Sequence, residues 1–280
     1  MQEFHYRIGR PAPGAFPGHH KSRRGDSGLE FRGHAPLLSA PDPRRLDLHA
    51  SLRDPFGEWL VRLHSQRQAI RVTLIADLSG SMACGTTGRS LDQLADFAEA
   101  LAWSAWRTGD AFAFIGCTER IVESLLLPAT HVKGAGSGLA ATLRAFIPGR
   151  TGAAALADAH QLTGRQRGLV FLASDFHLPL PLVEATLASL GRHDVVPVLL
   201  WRADEFAGTG SKRFGLVRLE DAESGSSRTV LLRPALRRRW ATARAERAAA
   251  LDAVFGRHGL RPLRLGERFR GEDVSAHFFG

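Results

Sequence analysis

From Ile70 to Leu265 the chain alternates short apolar runs with longer stretches of helical periodicity. Val72–Ala76 is a short apolar run that ends at Asp77, and a polar, glycine-containing loop follows. Ser90-Leu91-Asp92-Gln93 then reads as a capping box, in which serine and glutamine side chains satisfy the free N–H groups of a first helical turn. Leu91, Leu94, Ala98, Leu101 and Ala105 share one face at helical spacing, and Gly109 supplies a left-handed stop. Ala111–Gly116 and Ile121–Leu127 predict a strand pair. Two helices are predicted over about 138–146 and 152–163. Leu169–Ala173, unbroken by polar residues, predicts a central parallel strand buried on both faces. Leu180–Leu190 predicts a helix and Val195–Trp201 a strand, although Pro197 argues against full central pairing. Leu216–Leu219 and Thr229–Leu232 flank the turn residues Asp221–Ser227, a hairpin pattern. Pro234 opens a helix to about His258, stopped by Gly259, and Leu260–Leu265 reads as a last strand.

Strands alternating with helices define an α/β fold, with a doubly wound, mostly parallel sheet over residues 67–270 and a β-hairpin insertion at about 209–233. Residues 29–66 hold short apolar pieces between Pro and Arg clusters and are expected to pack as an N-terminal extension on that core. Residues 1–28, rich in Gly, Pro, His and Arg, are expected to form a flexible basic arm, and 271–280 a tail.

Composition narrows the function classes. Cys84 and Cys117 are the two cysteines, too few for a disulfide framework and outside any metal-binding spacing, so a reduced, cytoplasmic setting is expected. No apolar run approaches the roughly 20 residues a bilayer span needs. Lys and Arg total 37 against 28 acids, a net charge of +9, which opens nucleic acid or an acidic protein as partners. Only Lys21, Lys133 and Lys212 are lysines; an arginine skew in an alanine-rich chain weakens the nucleic-acid reading. There is no GxxxxGK[ST] loop, GxSxG elbow or HExxH pair, and Gly208-Thr209-Gly210-Ser211-Lys212 opens no clear helix.

In open α/β sheets, ligands bind beyond the C-terminal strand ends. Two acids stand there, Asp77 after the first strand and Asp175 after Leu169–Ser174. In Asp77-Leu78-Ser79-Gly80-Ser81, alternate residues of an extended loop point the same way, so one carboxylate and two hydroxyls converge. These are hard oxygen donors, suited to Mg²⁺, with Mn²⁺ or Ca²⁺ as substitutes. The plainer reading makes Ser79 and Ser81 helix caps beside a polar turn.

This Asp-x-Ser-x-Ser at a strand end resembles the metal-ion-dependent adhesion site of von Willebrand factor A domains. The resemblance implies two further ligands: Thr151, in Gly149-Arg150-Thr151-Gly152, and Asp175, in Ser174-Asp175-Phe176. Gly18–Arg24, Gly28-Leu29-Glu30-Phe31, Pro43-Arg44-Arg45-Leu46-Asp47 and Ser51-Leu52-Arg53 are similar to segments of a bacterial von Willebrand A family known as domain of unknown function 58. Leu48 stands where that family usually has tryptophan, and Asp42 alone remains of an acidic pair. Ser174-Asp175-Phe176-His177 resembles the branch associated with methanol oxidation. The resemblance implies a MoxR-type AAA+ ATPase as collaborator in chaperone-like maturation or metal loading of a client protein.

The expected function is therefore non-enzymatic: a metal-dependent interaction module completed by an Asp or Glu of a partner. Arg237, Arg238 and Arg239 on the last long helix are candidate partner contacts. Asp77→Ala is expected to abolish binding without unfolding, because Asp77 sits at a strand end. The alternatives are a metal-dependent hydrolase or nuclease using Asp77 and Asp175, and a charge-driven nucleic-acid-binding module. Two-metal chemistry asks for more carboxylates than these two.

Overall fold

A computed structural model describes residues 2–8, 17–21, 30–65, 67–83, 89–201, 215–220, 225–266 and 269–280. Cys84, the Gly208–Lys212 run, residues 221–224 of the hairpin turn and most of the expected 1–28 arm lie outside the described residues. The chain forms two compact units, one from Ile8 to Ile70 and the other from Met1–Arg7 together with Arg71–Gly280.

The smaller unit holds strands β1 (Pro17–Lys21), β2 (Glu30–Pro36), β3 (Leu60–Ser65) and β4 (Arg67–Gln68), with the one-turn helix α1 (Leu48–Ser51). Both pairings, β2 with β3 and β1 with β4, are antiparallel. Asp47 organises it. Its Oδ1 accepts the Ala50 N–H at 3.1 Å, capping α1, and its Oδ2 lies 2.7 Å from Arg62 Nε and 3.0 Å from His34 Nε2. The Arg62 and His34 hydrogen bonds, with that cap, hold the Asp47 carboxyl well below the usual range.

The larger unit is built on a six-stranded sheet. Its strands are β5 (Arg71–Asp77), β6 (Ala111–Cys117), β7 (Leu127–Thr130), β8 (Leu169–Ser174), β9 (Asp194–Leu199) and β12 (Leu263–Arg264). Their spatial order is β12-β9-β8-β5-β6-β7, all parallel except β7. Strands β10 (Gly215–Glu220) and β11 (Ser227–Leu232) form a separate antiparallel hairpin. The helices are α2 (Ser90–Arg107), α3 (Ala135–Ala145), α4 (Leu180–Ser189), α5 (Pro234–Arg257) and α6 (Gly271–Phe279).

Every residue of β8, and of β5 after Arg71, is buried, which is why both read as apolar runs, with Thr73 the one polar residue inside β5. Pro197 pairs with Leu172 inside the sheet. The amides of Asp194 and Leu200 donate to Gly168 and Ser174 beside β8, so by alternation residue 197 turns its nitrogen the other way. On that side β12 pairs only from Val198, so the missing N–H interrupts no ladder.

One face of the sheet packs Ile75, Val170, Leu172 and Val195 against α4 and the end of α5. The other carries an aromatic cluster in which Phe97 of α2 lies 5.4 Å from Phe171, 5.9 Å from Phe4 and 5.7 Å from Phe269. Two expectations are corrected here. Residues 2–7, assigned to a flexible arm, are pinned: Phe4 is 1% exposed, and the Tyr6 hydroxyl donates to Asp110 Oδ2 at 2.6 Å. The tail at 271–280 is α6, which buries Val274 and sets Phe278 6.2 Å from Phe171.

Three local expectations are also corrected. The first turn of α2 is capped one residue early: the Arg89 N–H donates to Asp92 Oδ2 at 3.1 Å, and Ser90 is already helical. Residues 152–163 form two 3₁₀ turns, Ala154–Ala157 and Ala159–Leu162, because the Ala155 N–H is drawn to the Thr118 carbonyl. The strand expected at 121–127 begins only at Leu127, since a 3₁₀ turn occupies Glu123–Leu125. Gly109 has φ +73°, the left-handed stop expected after α2.

Candidate functional site

Parallel register sets Ala76 of β5 opposite Ala173 of β8 and Asp77 opposite Cys117 of β6, so three strands deliver their C-terminal ends to one place. Asp77 is fully buried. Its Oδ1 accepts the Ser79 N–H at 2.8 Å and its Oδ2 the Ser174 hydroxyl at 2.6 Å. The turn that Asp77 starts brings Ser79 Oγ to 3.1 Å from Ser81 Oγ. Asp175, 1% exposed, accepts the His177 N–H on Oδ1 at 3.0 Å. The intervening Phe176 has φ +53°, the tight bend that lets its N–H reach Ser174 Oγ at 2.7 Å.

Thr151 arrives from the loop before the 3₁₀ turns. Its carbonyl accepts the Gly80 N–H at 3.0 Å, seating the loop on the Ser79–Gly80 turn, while Glu119 accepts the Gly152 N–H at 2.9 Å. The hydroxyl of Thr151 is buried and has no hydrogen-bond partner among the described residues. Asp77, Ser79 and Ser81 thus lie with Asp175 at the C-terminal strand ends, and the Thr151 loop is bonded to the same turn.

Electrostatics at this point are expensive. Burial, and then the negative charge of Asp175, push the Asp77 carboxyl up to about 6. Burial and the Asp77 charge push the Cys117 thiol up to about 12, so it is no thiolate nucleophile. Among the described residues no three His, Cys, Asp or Glu side chains gather as a metal cluster. The donors at the strand ends are two carboxylates with hydroxyls, a hard set whose charge a divalent cation would balance; zinc prefers nitrogen and sulfur.

Around the donors stands a layer the sequence did not announce. The Trp201 indole N–H donates to the Asp175 carbonyl, and the His177 ring lies parallel to the indole at 6.2 Å. Two arginines of α5 reach this layer. Arg244 sits 5.5 Å over the indole, and Arg247 donates to the carbonyls of Phe176, at 2.6 Å, and Leu178. In the sequence these arginines read as part of a basic helix, and nothing local marks their distant targets, about 70 residues earlier for Arg247. Arg237, Arg238 and Arg239 fall on the first turns of the same helix and are not part of this layer.

An α/β unit with carboxylates and hydroxyls collected at its C-terminal strand ends is the class this geometry defines. Residues 41–250 match the family described as "Protein of unknown function DUF58", and the chain belongs to it. It is 40% identical over 111 residues to an "Uncharacterized protein in moxR 3'region" of Paracoccus denitrificans, which covers 38% of this chain and 99% of that protein. Among solved structures it is similar to an aerotolerance-related membrane protein from Bacteroides fragilis NCTC 9343, at 13% identity, 75% of this chain, 97% of that chain and a TM-score of 0.44. The SpRpn10 VWA domain is similar at 11% identity, 47% of this chain, 76% of that chain and a TM-score of 0.33. Among the described residues no helix is long and apolar enough to cross a membrane.

Proposed function

We propose that the chain is a non-enzymatic, cation-dependent protein-interaction module. In this reading Asp77, Ser79, Ser81, Thr151 and Asp175 hold Mg²⁺, or Mn²⁺ or Ca²⁺ in its place. The bound cation supplies a concentrated positive charge that favours a carboxylate from outside. The chain's own residues do the rest: Asp77 fixes the Ser79 turn, Ser174 orients Asp77, and Arg247 holds the Asp175 bend. The single observation that carries the reading is the Thr151 hydroxyl, buried without a partner among the described residues on a loop bonded to the turn that follows the fully buried Asp77. Such a hydroxyl is costly unless something is meant to meet it.

The partner is a MoxR-type AAA+ ATPase, working in the cytoplasm with this chain in chaperone-like maturation or metal loading of a client that offers an Asp or Glu. Family membership and the moxR-region name of the Paracoccus relative support the ATPase.

The test is a Mg²⁺ titration followed by tryptophan fluorescence, since Trp201 is bonded to the Asp175 carbonyl. A saturable response, reversed by EDTA and absent in Asp77→Asn, is expected. No response in the wild type overturns the cation site. Phosphoester turnover that Asp77→Asn abolishes replaces this reading with the hydrolase one.

A further inference from the structure

Helix α5 runs for 24 residues yet buries only Leu251, Val254 and Phe255, all in its last turns. Its first half, from Pro234 to Glu246, lines a cleft of about 990 Å³ shared with strand β11 of the hairpin. Leu236, Trp240 and Ala243 recur at spacings of four and three, so one apolar stripe of the helix lines this cleft, where Val230 of β11 joins it. Arg228, Arg238 and Arg239 also line it, against Glu246 as the one acid. Among the described residues none of these three arginines has an ion-pair partner; the acids that pair with Arg257 and Arg264 lie elsewhere.

We propose that this cleft is a second docking site, distinct from the cation site, and that its occupant is an acidic amphipathic helix of a partner protein. The apolar ridge of such a helix enters between Val230, Leu236 and Trp240, and its carboxylates meet the arginine rim, where guanidinium forks suit them. Charge selects this occupant over others. A second copy of this chain, carrying +9, brings its own arginines toward the same rim. A bilayer favours apolar groups that protrude, whereas here they line a concavity.

The probe is a fluorescein-labelled 18-residue helix with leucines at i, i+3, i+4 and i+7 and glutamates elsewhere, titrated into the full chain by anisotropy. A scrambled peptide of the same composition and vesicles of phosphatidylserine serve as controls. The amphipathic helix is expected to bind at least about tenfold tighter than the scrambled one, with affinity falling as salt rises. Arg238→Glu with Arg239→Glu is expected to weaken it about tenfold, and Trp240→Ala about thirtyfold. Both arginines are exposed, so that double variant keeps its fold, which a thermal melt checks. EDTA and Asp77→Asn are expected to leave this binding unchanged, which separates it from the cation site. Equal binding of helix and scramble, indifference to the double charge reversal, or a preference for the vesicles overturns the proposal.

Discussion

Asp77 is more deeply placed than a strand-end position suggested. Alanine there would leave the Ser79 N–H and the Ser174 hydroxyl without their acceptor, so Asp77→Ala mixes loss of a ligand with loss of fold. Asparagine keeps the shape and an acceptor and removes a charge that Asp175 opposes. Asp77→Asn is therefore expected to melt no lower than wild type in EDTA while losing the Mg²⁺ response. Thr151→Val makes the complementary test. With no partner to lose, the variant is expected to be as stable as wild type or more stable by about 1 kcal/mol without cation, and to need more Mg²⁺ for the same response. His193 gives a pH prediction far from this site. Its Nδ1 faces the Gly168 N–H at 3.2 Å, so its Nε2 carries the proton toward Thr163 Oγ1 at 3.0 Å, and the ring is held neutral. Burial and then Arg192, Arg71 and Arg167 lower its pKa to about 4, below the unfolded value, so its contribution is whole above about pH 6.5 and disappears as pH falls toward 4. Denaturant melts at pH 7 and pH 4.5 are expected to show this loss, and His193→Gln to flatten it.

At the scale of elements, what the sequence made legible was whatever burial on both sides had simplified. Strand β8 carries no polar residue before Ser174 and β5 only Arg71 and Thr73 before Asp77, and α2 sets its apolar residues on one face with a glycine to end it. The misread pieces answer to distant partners. Ala155 bends into a 3₁₀ turn for a carbonyl on the loop after β6, and Asp92, not Ser90 with Gln93, supplies the cap. Close packing also fixes Gly116 of β6, where a Cβ would stand 2.6 Å from Leu78 Cδ1. Gly116→Val is expected to cost about 1–3 kcal/mol by forcing Leu78 aside, and to disturb the Asp77 turn with it. Chemical denaturation reads the cost and the Mg²⁺ titration the disturbance.

Over the whole molecule, the strand-end places of Asp77 and Asp175 could be read from the apolar runs before them, whereas Thr151 was named only through the family resemblance. The surrounding layer of Trp201, Arg244 and Arg247 could not, since its contacts span the length of the unit. Residues 2–7 were equally opaque: Phe4 and Tyr6 are too few to make a period, and their burial depends on α2 and on residues near the C-terminal end. Phe4→Ala is expected to cost about 3–5 kcal/mol in the larger unit. In the smaller unit, Asp47→Ala is expected to cost α1 its cap and to raise hydrogen exchange across residues 30–65. The place of Phe4 carries a consequence for the order of assembly. Phe4 rests on Phe97 and against Phe269, and the Gly271 N–H donates to Gln2 Oε1 at 2.8 Å. Since synthesis makes residue 4 well before residues 269–271, Phe4 has no finished seat until they have emerged, and residues 2–7 are among the last parts of the larger unit to settle.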